Sequence, residues 1–456
     1  MIRNKTILSA YLLACSVCCF SQTRTVTLEE CLNLSHNYNP KVVNAGLDSK
    51  SAVATRKEAR ANWFPNVSVT ATGFKAFDPL LNIGLKDVLG SSDAANNLRY
   101  YAETTAGLSG LPSTLSMLDV GYLATVNVMQ PVFAGGRIAN GNSLASLGVK
   151  AADVKRDIAV RENDDSITGR YWKIVSLTEK MNALQSAIDL VRSLEKSVAP
   201  AVEAGLVNKR DLLQIQLKSK ELQADMIRLR SGIKLAKMDL FNSVGYEYSV
   251  LGLDDIALSD SFQNLSSPDN YYQDENERAD AMNEKKLLEM SVQAKKLEKK
   301  MALGEGLPEV GIGASMGYFK IVGDAQPNAL VYAMVKIPIS DWGKTAQKLH
   351  RAQNELEKAE NDRQYLEKQL VLKANKDWVE LQCAWEQILA AEDAVNLAVL
   401  MESQKASEYE AGLCTVTDLL KSQTELQAAR SALVDRQSEY VTCLSAWKSL
   451  IPGKEQ

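Results

Sequence analysis

The strongest constraint on this chain is that it contains one unit twice. Val202-Glu203-Ala204-Gly205-Leu206 is followed by Asp211-Leu212-Leu213, and Tyr409-Glu410-Ala411-Gly412-Leu413 is followed by Asp418-Leu419-Leu420. Gln130-Pro131-Val132-Phe133-Ala134-Gly135-Gly136 has its counterpart in Ile337-Pro338-Ile339-Ser340-Asp341-Trp342-Gly343. Gly205 and Gly412 are 207 residues apart, and so are Pro131 and Pro338. The segment between the two landmarks therefore has one length in both halves. A third pair, Trp63-Phe64-Pro65-Asn66-Val67 and Gly306-Leu307-Pro308-Glu309-Val310, is offset by 243 residues. The first half thus holds 36 extra residues between Pro65 and Pro131.

Each unit reads in the same order. A helix, about Leu28 to Asn62 and about Arg278 to Leu303, is stopped by proline. A short alternating strand follows, then a connection, then a second strand ending at the Pro131 or Pro338 motif. A very long helix runs to the Ala-Gly-Leu turn, and a return helix covers about Lys209 to Val244 and about Val416 to Leu450. From Gly136 to Gly205 is 69 steps, about 100 Å if helical. A rod of that length cannot bury itself in a globule, so it must pack along its return helix and then along others. The expected fold is mainly α with a small β part. The expected organisation is a signal at 1–21, a first repeat at 22–245, a linker at 246–277, a second repeat at 278–451 and a tail at 452–456. The Asp, Ser and Asn content of the linker predicts a surface connection. The extra residues form a loop of about Asp78 to Asp119, with a short helix around Leu98 to Glu103; the corresponding loop Val322 to Asn328 is short.

Met1 to Gln22 reads as an export signal: Arg3 and Lys5, then an apolar run from Ile7 to Phe20 that is too short to span a bilayer comfortably. Cleavage near Ser21 is favoured over lipidation of Cys15, because the apolar run continues past Cys15. Lys and Arg number 52 against 56 Asp and Glu, which argues against a nucleic-acid binder with a basic face. The two histidines, His36 and His350, are too few for a His-rich metal site or a His-based triad. No phosphate loop, dinucleotide fingerprint, metal spacing or nucleophile motif is present. No enzyme activity and no cofactor are expected.

The strands carry the membrane argument. Val67 to Thr72, Ala124 to Val128 and Val310 to Tyr318 alternate with period two, while Ala329 to Ile339 is more uniformly apolar. The pattern suits a half-buried sheet in a soluble domain, and it suits a barrel with apolar residues toward lipid and small or polar ones toward a lumen. Two strands per repeat make four per chain. Four strands cannot close a barrel with a lumen, and an open sheet in lipid leaves unpaired edges. If these strands span a membrane, several chains must supply one barrel.

Leu28-Glu29-Glu30-Cys31-Leu32 with Asn39-Pro40, the Pro65 and Pro308 junctions, the Pro131/Gly136 and Pro338/Gly343 motifs and the two Ala-Gly-Leu turns followed by Asp-Leu-Leu occur in one duplicated order. In this the sequence resembles the TolC family of outer-membrane efflux proteins over nearly all of the mature chain. The resemblance implies a homotrimer with a 12-stranded transmembrane β-barrel in the outer membrane of a Gram-negative bacterium and a periplasmic α-helical barrel. It implies docking to a periplasmic adaptor and an inner-membrane pump, as the channel of a tripartite efflux or type I secretion system for small toxic solutes or proteins. It places Gly205, Leu206, Gly412 and Leu413 at the periplasmic tip, where an adaptor docks. Asp211 and Tyr409 match two positions of a latch that closes the tip. A third, often basic, is Cys414 here, with Lys209 or Arg210 as substitutes. Asp418 matches a position lining the tip constriction, while a further acidic position reads Lys421. For Asp211 and Asp418, helix capping and gating stand as equal readings. Cys383 and Cys443 lie 29 residues before and 31 after Gly412. They fall at one height of an antiparallel hairpin, and in an oxidising compartment a disulfide between them is expected. The rival readings are a soluble periplasmic helical-hairpin adaptor and a structural coiled-coil protein. The adaptor would need one hairpin and many more strands.

Overall fold

The computed structural model describes residues 24–77, 81–84, 93–94, 96–97, 100–101, 114–117, 120–249, 252–262, 265–320 and 326–450. The expected signal with Cys15, the tail at 452–456, most of the 78–119 loop and residues 322–325 of the second loop lie outside these. In chain order the elements are β1 (Arg24–Val26), α1 (Leu28–Tyr38), α2 (Pro40–Ala61), β2 (Asn66–Lys75), β3 (Leu81–Gly84), β4 (Thr114–Met117), β5 (Val120–Ala134), α3 (Arg137–Glu203) and α4 (Lys209–Val244). There follow β6 (Ile256–Leu258), α5 (Glu275–Ala281), α6 (Asn283–Gly304), β7 (Glu309–Lys320), β8 (Gln326–Lys336), α7 (Lys344–Glu410) and α8 (Val416–Ser449). The duplication survives in the long helices: α3 and α7 both have 67 residues.

The chain divides into two compact units, one of residues 1–51, 150–291 and 360–456, the other of 52–149 and 292–359. The second unit holds an antiparallel sheet in the order β2-β5-β7-β8. Across it Val67, Val128, Ala314 and Val331 stand in one row. β5 ends within the Pro131 motif, passing through the proline to Ala134. A bulge between Pro131 and Phe133 absorbs the missing donor. β3 and β4 form a separate antiparallel pair inside the first repeat's extra residues.

The first unit is helical. One continuous helix from Leu28 to Asn62 is not formed: Asn39 has ψ 123° and separates α1 from α2. A residue before proline is pushed out of the helical region, and here that residue precedes Pro40. Met282 similarly separates α5 from α6 with ψ 137°, and its fully buried side chain joins Ala374 and Leu450. Ile167, Tyr171 and Ile174 of α3 pack with Leu240, Phe241 and Val244 of α4. Trp378, Leu381, Ala384 and Ile388 of α7 pack with Tyr440 and Trp447 of α8.

The linker is not a surface connection only. Leu253 and Ile256 enter the α3–α4 core, and β6 pairs in parallel with β1. The buried Lys237 ammonium donates to the carbonyls of Leu253 at 2.9 Å and Ile256 at 2.5 Å. Farther on, Tyr440 Oη donates to the Ser266 carbonyl at 2.5 Å and Trp447 Nε1 to the Tyr271 carbonyl at 2.9 Å. Arg278, buried, donates to the Trp447 carbonyl and stacks 3.5 Å over the Trp447 ring. The linker is thereby tied first to one helical pair and then to the other.

Candidate functional site: a sheet with its apolar face outward and two paired helical turns

Residues opposite one another in an antiparallel ladder share a face. One face carries Val67, Val69 and Ala71 of β2, Val126 and Val128 of β5, Met316 and Tyr318 of β7, and Val331 of β8. The other carries Ser68 and Thr70, Thr125 and Asn127, Ser315, and Asn328. The polar face is internally bonded. Asn127 Nδ2 donates to Thr70 Oγ1 at 3.3 Å and to Thr125 Oγ1 at 3.0 Å, and Ser315 Oγ donates to Asn127 Oδ1 at 2.8 Å. Exposure runs opposite to a water-soluble sheet. Thr125 is 5 % exposed, whereas Val126 beside it is 40 %, Met316 64 % and Val69 75 %. On the central strands the polar side, at Thr125, Asn127 and Ser315, is buried or half-buried while Val126 and Met316 on the opposite face are open; on the edge strands β2 and β8 both sides are exposed.

The ends of the sheet add to this. Trp63 and Phe64 before β2 and Trp342 after β8 are exposed aromatics at the strand-to-helix junctions. Such rings sit at the level of lipid headgroups in membrane barrels. At the same end Arg137 pairs with Glu309, on the polar side of β7. Among the described residues no helix is long and apolar enough to cross a membrane.

In the first unit the two Ala-Gly-Leu turns are built alike. Gly205 and Gly412 have φ of 71° and 72°, the left-handed region that glycine enters freely. The amides of Leu206 and Leu413 donate back to the carbonyls of Ala201 and Glu408, both at 2.8 Å. These bonds reverse each chain and leave Leu206 and Leu413 about four-fifths exposed. Asn208 then caps α4 through Oδ1, which accepts from the Arg210 amide at 2.9 Å. Below the turns the repeats meet: Val416 and Leu420 share a core with Val198, Ile215 and Leu222, and Thr417 Oγ1 donates to Gln214 Oε1 at 2.9 Å.

The structure sorts the expected tip residues. Tyr409 borders the shared core, and burial, followed by the charges of Asp211 and Cys414, pushes its phenol up. Asp211, from the other repeat, is thus near enough for its charge to act on the Tyr409 phenol. Asp418 instead closes a capping box: its Oδ2 accepts from the Thr415 amide at 3.1 Å, and its own amide donates to Thr415 Oγ1 at 3.2 Å. The Thr415 side chain and then the Thr415 amide hold the Asp418 carboxyl below its ordinary value. Lys421 faces Glu425 at 4.0 Å, and Cys414 Sγ contacts the Lys405 carbonyl at 3.5 Å. Thr415 and Thr417 were not singled out from the sequence, although Thr-x-x-Asp at 415–418 is a legible capping pattern.

The disulfide is not formed: Cys383 and Cys443 are free thiols. Equal height on a hairpin does not make two side chains face each other. Leu381, Ala384 and Ile388 are the residues α7 turns toward α8, and Cys383 lies off that stripe, exposed, accepting from Gln387 at 3.2 Å. Cys443 packs instead against the α7–α8 core, and burial pushes its thiol up.

Comparison with known proteins bears on the fold that holds these residues. Residues 289–451 match the family described as outer membrane efflux protein. No protein of curated function matches the chain in sequence. The outer membrane protein VceC of Vibrio cholerae is similar in structure, with TM-score 0.75 and 16 % identity over 94 % of this chain and 97 % of that one. The CmeC outer membrane channel of Campylobacter jejuni gives TM-score 0.71 and 13 % identity, covering 94 % of this chain and 87 % of its own. The MtrE outer membrane channel of Neisseria gonorrhoeae, in its open state, gives 0.69 and 14 %, covering 94 % and 91 %. Residues 289–451 thus resemble the outer membrane efflux protein family, and over nearly its whole length the chain has the fold of these channels.

Proposed function

We propose that the protein is the passive outer-membrane conduit of an efflux or secretion system in a Gram-negative bacterium. The observation that carries this reading is a sheet with one valine-rich face that stays open even on its central strands, where the hydroxyl and amide side chains of Thr125, Asn127 and Ser315 are the more covered ones. Lipid satisfies the first face and a water-filled lumen the second. Among the described residues the sheet has two free edges, at β2 and β8. Hydrocarbon supplies no hydrogen bonds to such edges, so copies of the chain must share strands. Three copies give a 12-stranded barrel, the smallest closed assembly with a useful lumen that four strands per chain allow. The helical pairs extend into the periplasm. Their turns at Gly205-Leu206 and Gly412-Leu413 present exposed leucines to a periplasmic adaptor, which links the conduit to an inner-membrane pump. Asp211 and Tyr409 contribute to closing the tip. Asp418 adds a carboxylate near it while capping α8. The solutes carried are small toxic compounds or exported proteins.

The experiment is conductance across a planar bilayer with purified protein, alongside chemical crosslinking. Discrete channel steps and a trimer band are expected. A protein that stays in solution without detergent as a monomer overturns the reading and favours a soluble coiled-coil protein.

A further inference from the structure

The duplication constrains more than the single chain. An offset of 207 carries β5 onto β8, and an offset of 243 carries β2 onto β7. The ladder of β2 with β5 places Val67 opposite Val128; the two offsets turn this pair into Val310 and Val335, which stand opposite each other between β7 and β8. The same translation holds from Asn66–Met129, which becomes Glu309–Lys336, to Thr72–Leu123, which becomes Ser315–Leu330. The two outer pairings of the sheet are therefore one pairing used twice. The inner seam of β5 with β7 joins the second strand of one repeat to the first strand of the next. Within one chain it occurs once, and it has no counterpart until β8 meets the first strand of another repeat, which is β2 of another copy.

We propose that β8 of one copy pairs with β2 of the next in the register of the β5–β7 seam translated by the repeat offsets. This rests on the reading of the protein as a barrel shared between copies. Val128 opposite Ala314 becomes Val335 opposite the partner subunit's Ala71. Asn127 opposite Ser315 becomes Met334 opposite the partner subunit's Thr72, and Thr125 opposite Gly317 becomes Tyr332 opposite the partner subunit's Phe74.

Two independent features support this register. The first is the faces of the strands. Val331 and Val335 are on the apolar side of β8, and the partner strand carries its apolar side at Val67, Val69 and Ala71. The translated register sets the valine-rich faces against each other and joins the remaining face of β8, with Tyr332 and Met334, to the matching face of the partner strand. A slip of one residue would join opposite faces all along the seam. The second is the length of β8. It ends at Lys336, although its counterpart β5 runs on to Ala134, the equivalent of Asp341. The last residues of β5 are held by β7, at Phe133–Val310 and Ala134–Glu309. Ile337 to Asp341 have no such strand beside them in the chain, and Ile337 and Ile339 are exposed. In the assembled ring they extend β8, with Ile337 opposite the partner subunit's Val69 and, past the bulge equivalent to that of β5, Ser340 opposite the partner subunit's Val67.

Paired cysteines test the register in the full-length protein reconstituted in lipid vesicles. Opposite positions alternate between hydrogen-bonded and non-hydrogen-bonded geometry, so two adjacent pairs are made, Ala71→Cys with Val335→Cys and Thr72→Cys with Met334→Cys. Slipped controls combine Val335→Cys with Val69→Cys or with Gly73→Cys. Single-cysteine variants give the background from the native thiols. Under mild oxidation at least one in-register pair forms covalent oligomers about tenfold faster than either slipped control, because diagonal positions are ~7–8 Å apart. Fastest linkage in a slipped pair overturns the register. Channels that insert and conduct without linkage at either in-register pair overturn the β8–β2 seam while leaving the channel reading intact. Variants and parent that all fail to insert overturn the channel reading, and the seam with it. Where only a variant fails, its conductance and detergent-resistant trimer identify it, and the adjacent pair decides.

Discussion

At the residue scale, the equivalent junctions at Gly135 and Trp342 show how one backbone bend is held in two ways. Both residues have left-handed backbones, with φ of 60° and 56°. A Cβ at Gly135 would come within 2.1 Å of the Gly304 carbonyl oxygen. The side chain of Trp342 is 98 % exposed, so its ring has room, and only backbone strain opposes it. Asp341 holds that bend by accepting from the amides of Gly343 at 3.1 Å and Thr345 at 2.7 Å. Gly135→Ala is expected to destabilise the second unit by about 2–4 kcal/mol through strain and overpacking. Trp342→Gly should relieve about 1 kcal/mol of backbone strain and so stabilise the unit. Thermal melts of the two variants check both signs. At the tip, Thr415→Ala removes the N-cap of α8 and should cost about 1 kcal/mol. The same cap depends on pH. The folded Asp418 carboxyl binds its proton less readily than an unfolded one. Its contribution is complete above the ordinary aspartate value of about 3.9 and disappears as pH falls through the lower folded value. Hydrogen exchange in the first turn of α8, corrected for intrinsic rates, should rise across that window in the parent and stay flat in Asp418→Asn.

At the element scale, what could be read in advance followed from periodicity and length. The return helix was legible as Lys209 to Val244, and α4 has those bounds. The two 67-residue helices follow from two equal gaps between landmarks. The breaks at Asn39 and Met282 were harder. The first needs the steric effect of Pro40 on its neighbour, and the second is decided by a buried side chain with no local signal. The second strand reads as ending at the Pro131 motif, and β5 ends inside that motif at Ala134, a bulge carrying the ladder past Pro131. The cysteine pair shows the same limit. Sequence separation from a turn measures height along a helix but not direction around it. Leu381→Ala, which empties a fully buried site of the α7–α8 core, should cost about 2–5 kcal/mol. Cys383→Ala, two residues on and exposed, should be nearly neutral. Maleimide labelling should modify Cys383 quickly and Cys443 slowly, since Cys443 is part-buried and its thiol is harder to ionise.

At the scale of the whole molecule, the proposed channel has the alternation of β2 and β5 decide which side meets lipid. Val126 and Thr70 lie near the middle of their strands on opposite faces. Val126→Lys places an ammonium toward hydrocarbon and should cost about 2–4 kcal/mol in membrane insertion. Thr70→Lys puts the same charge in the lumen, where it should leave insertion unchanged and shift the channel toward anions. Folding into vesicles under urea measures the first, and reversal potentials in a salt gradient measure the second. A sheet in a water-soluble body would give the opposite ranking.

The equal rods carry a consequence for anyone resizing this molecule. A heptad added to α3 alone would carry the Gly205 turn about 10 Å beyond the Gly412 turn. The bond from Thr417 to Gln214 would then have nothing to meet. Extensions and deletions must be made in duplicate, in α3 with α7 and in α4 with α8, so a designer has half as many independent lengths to choose as the chain has helices of this kind.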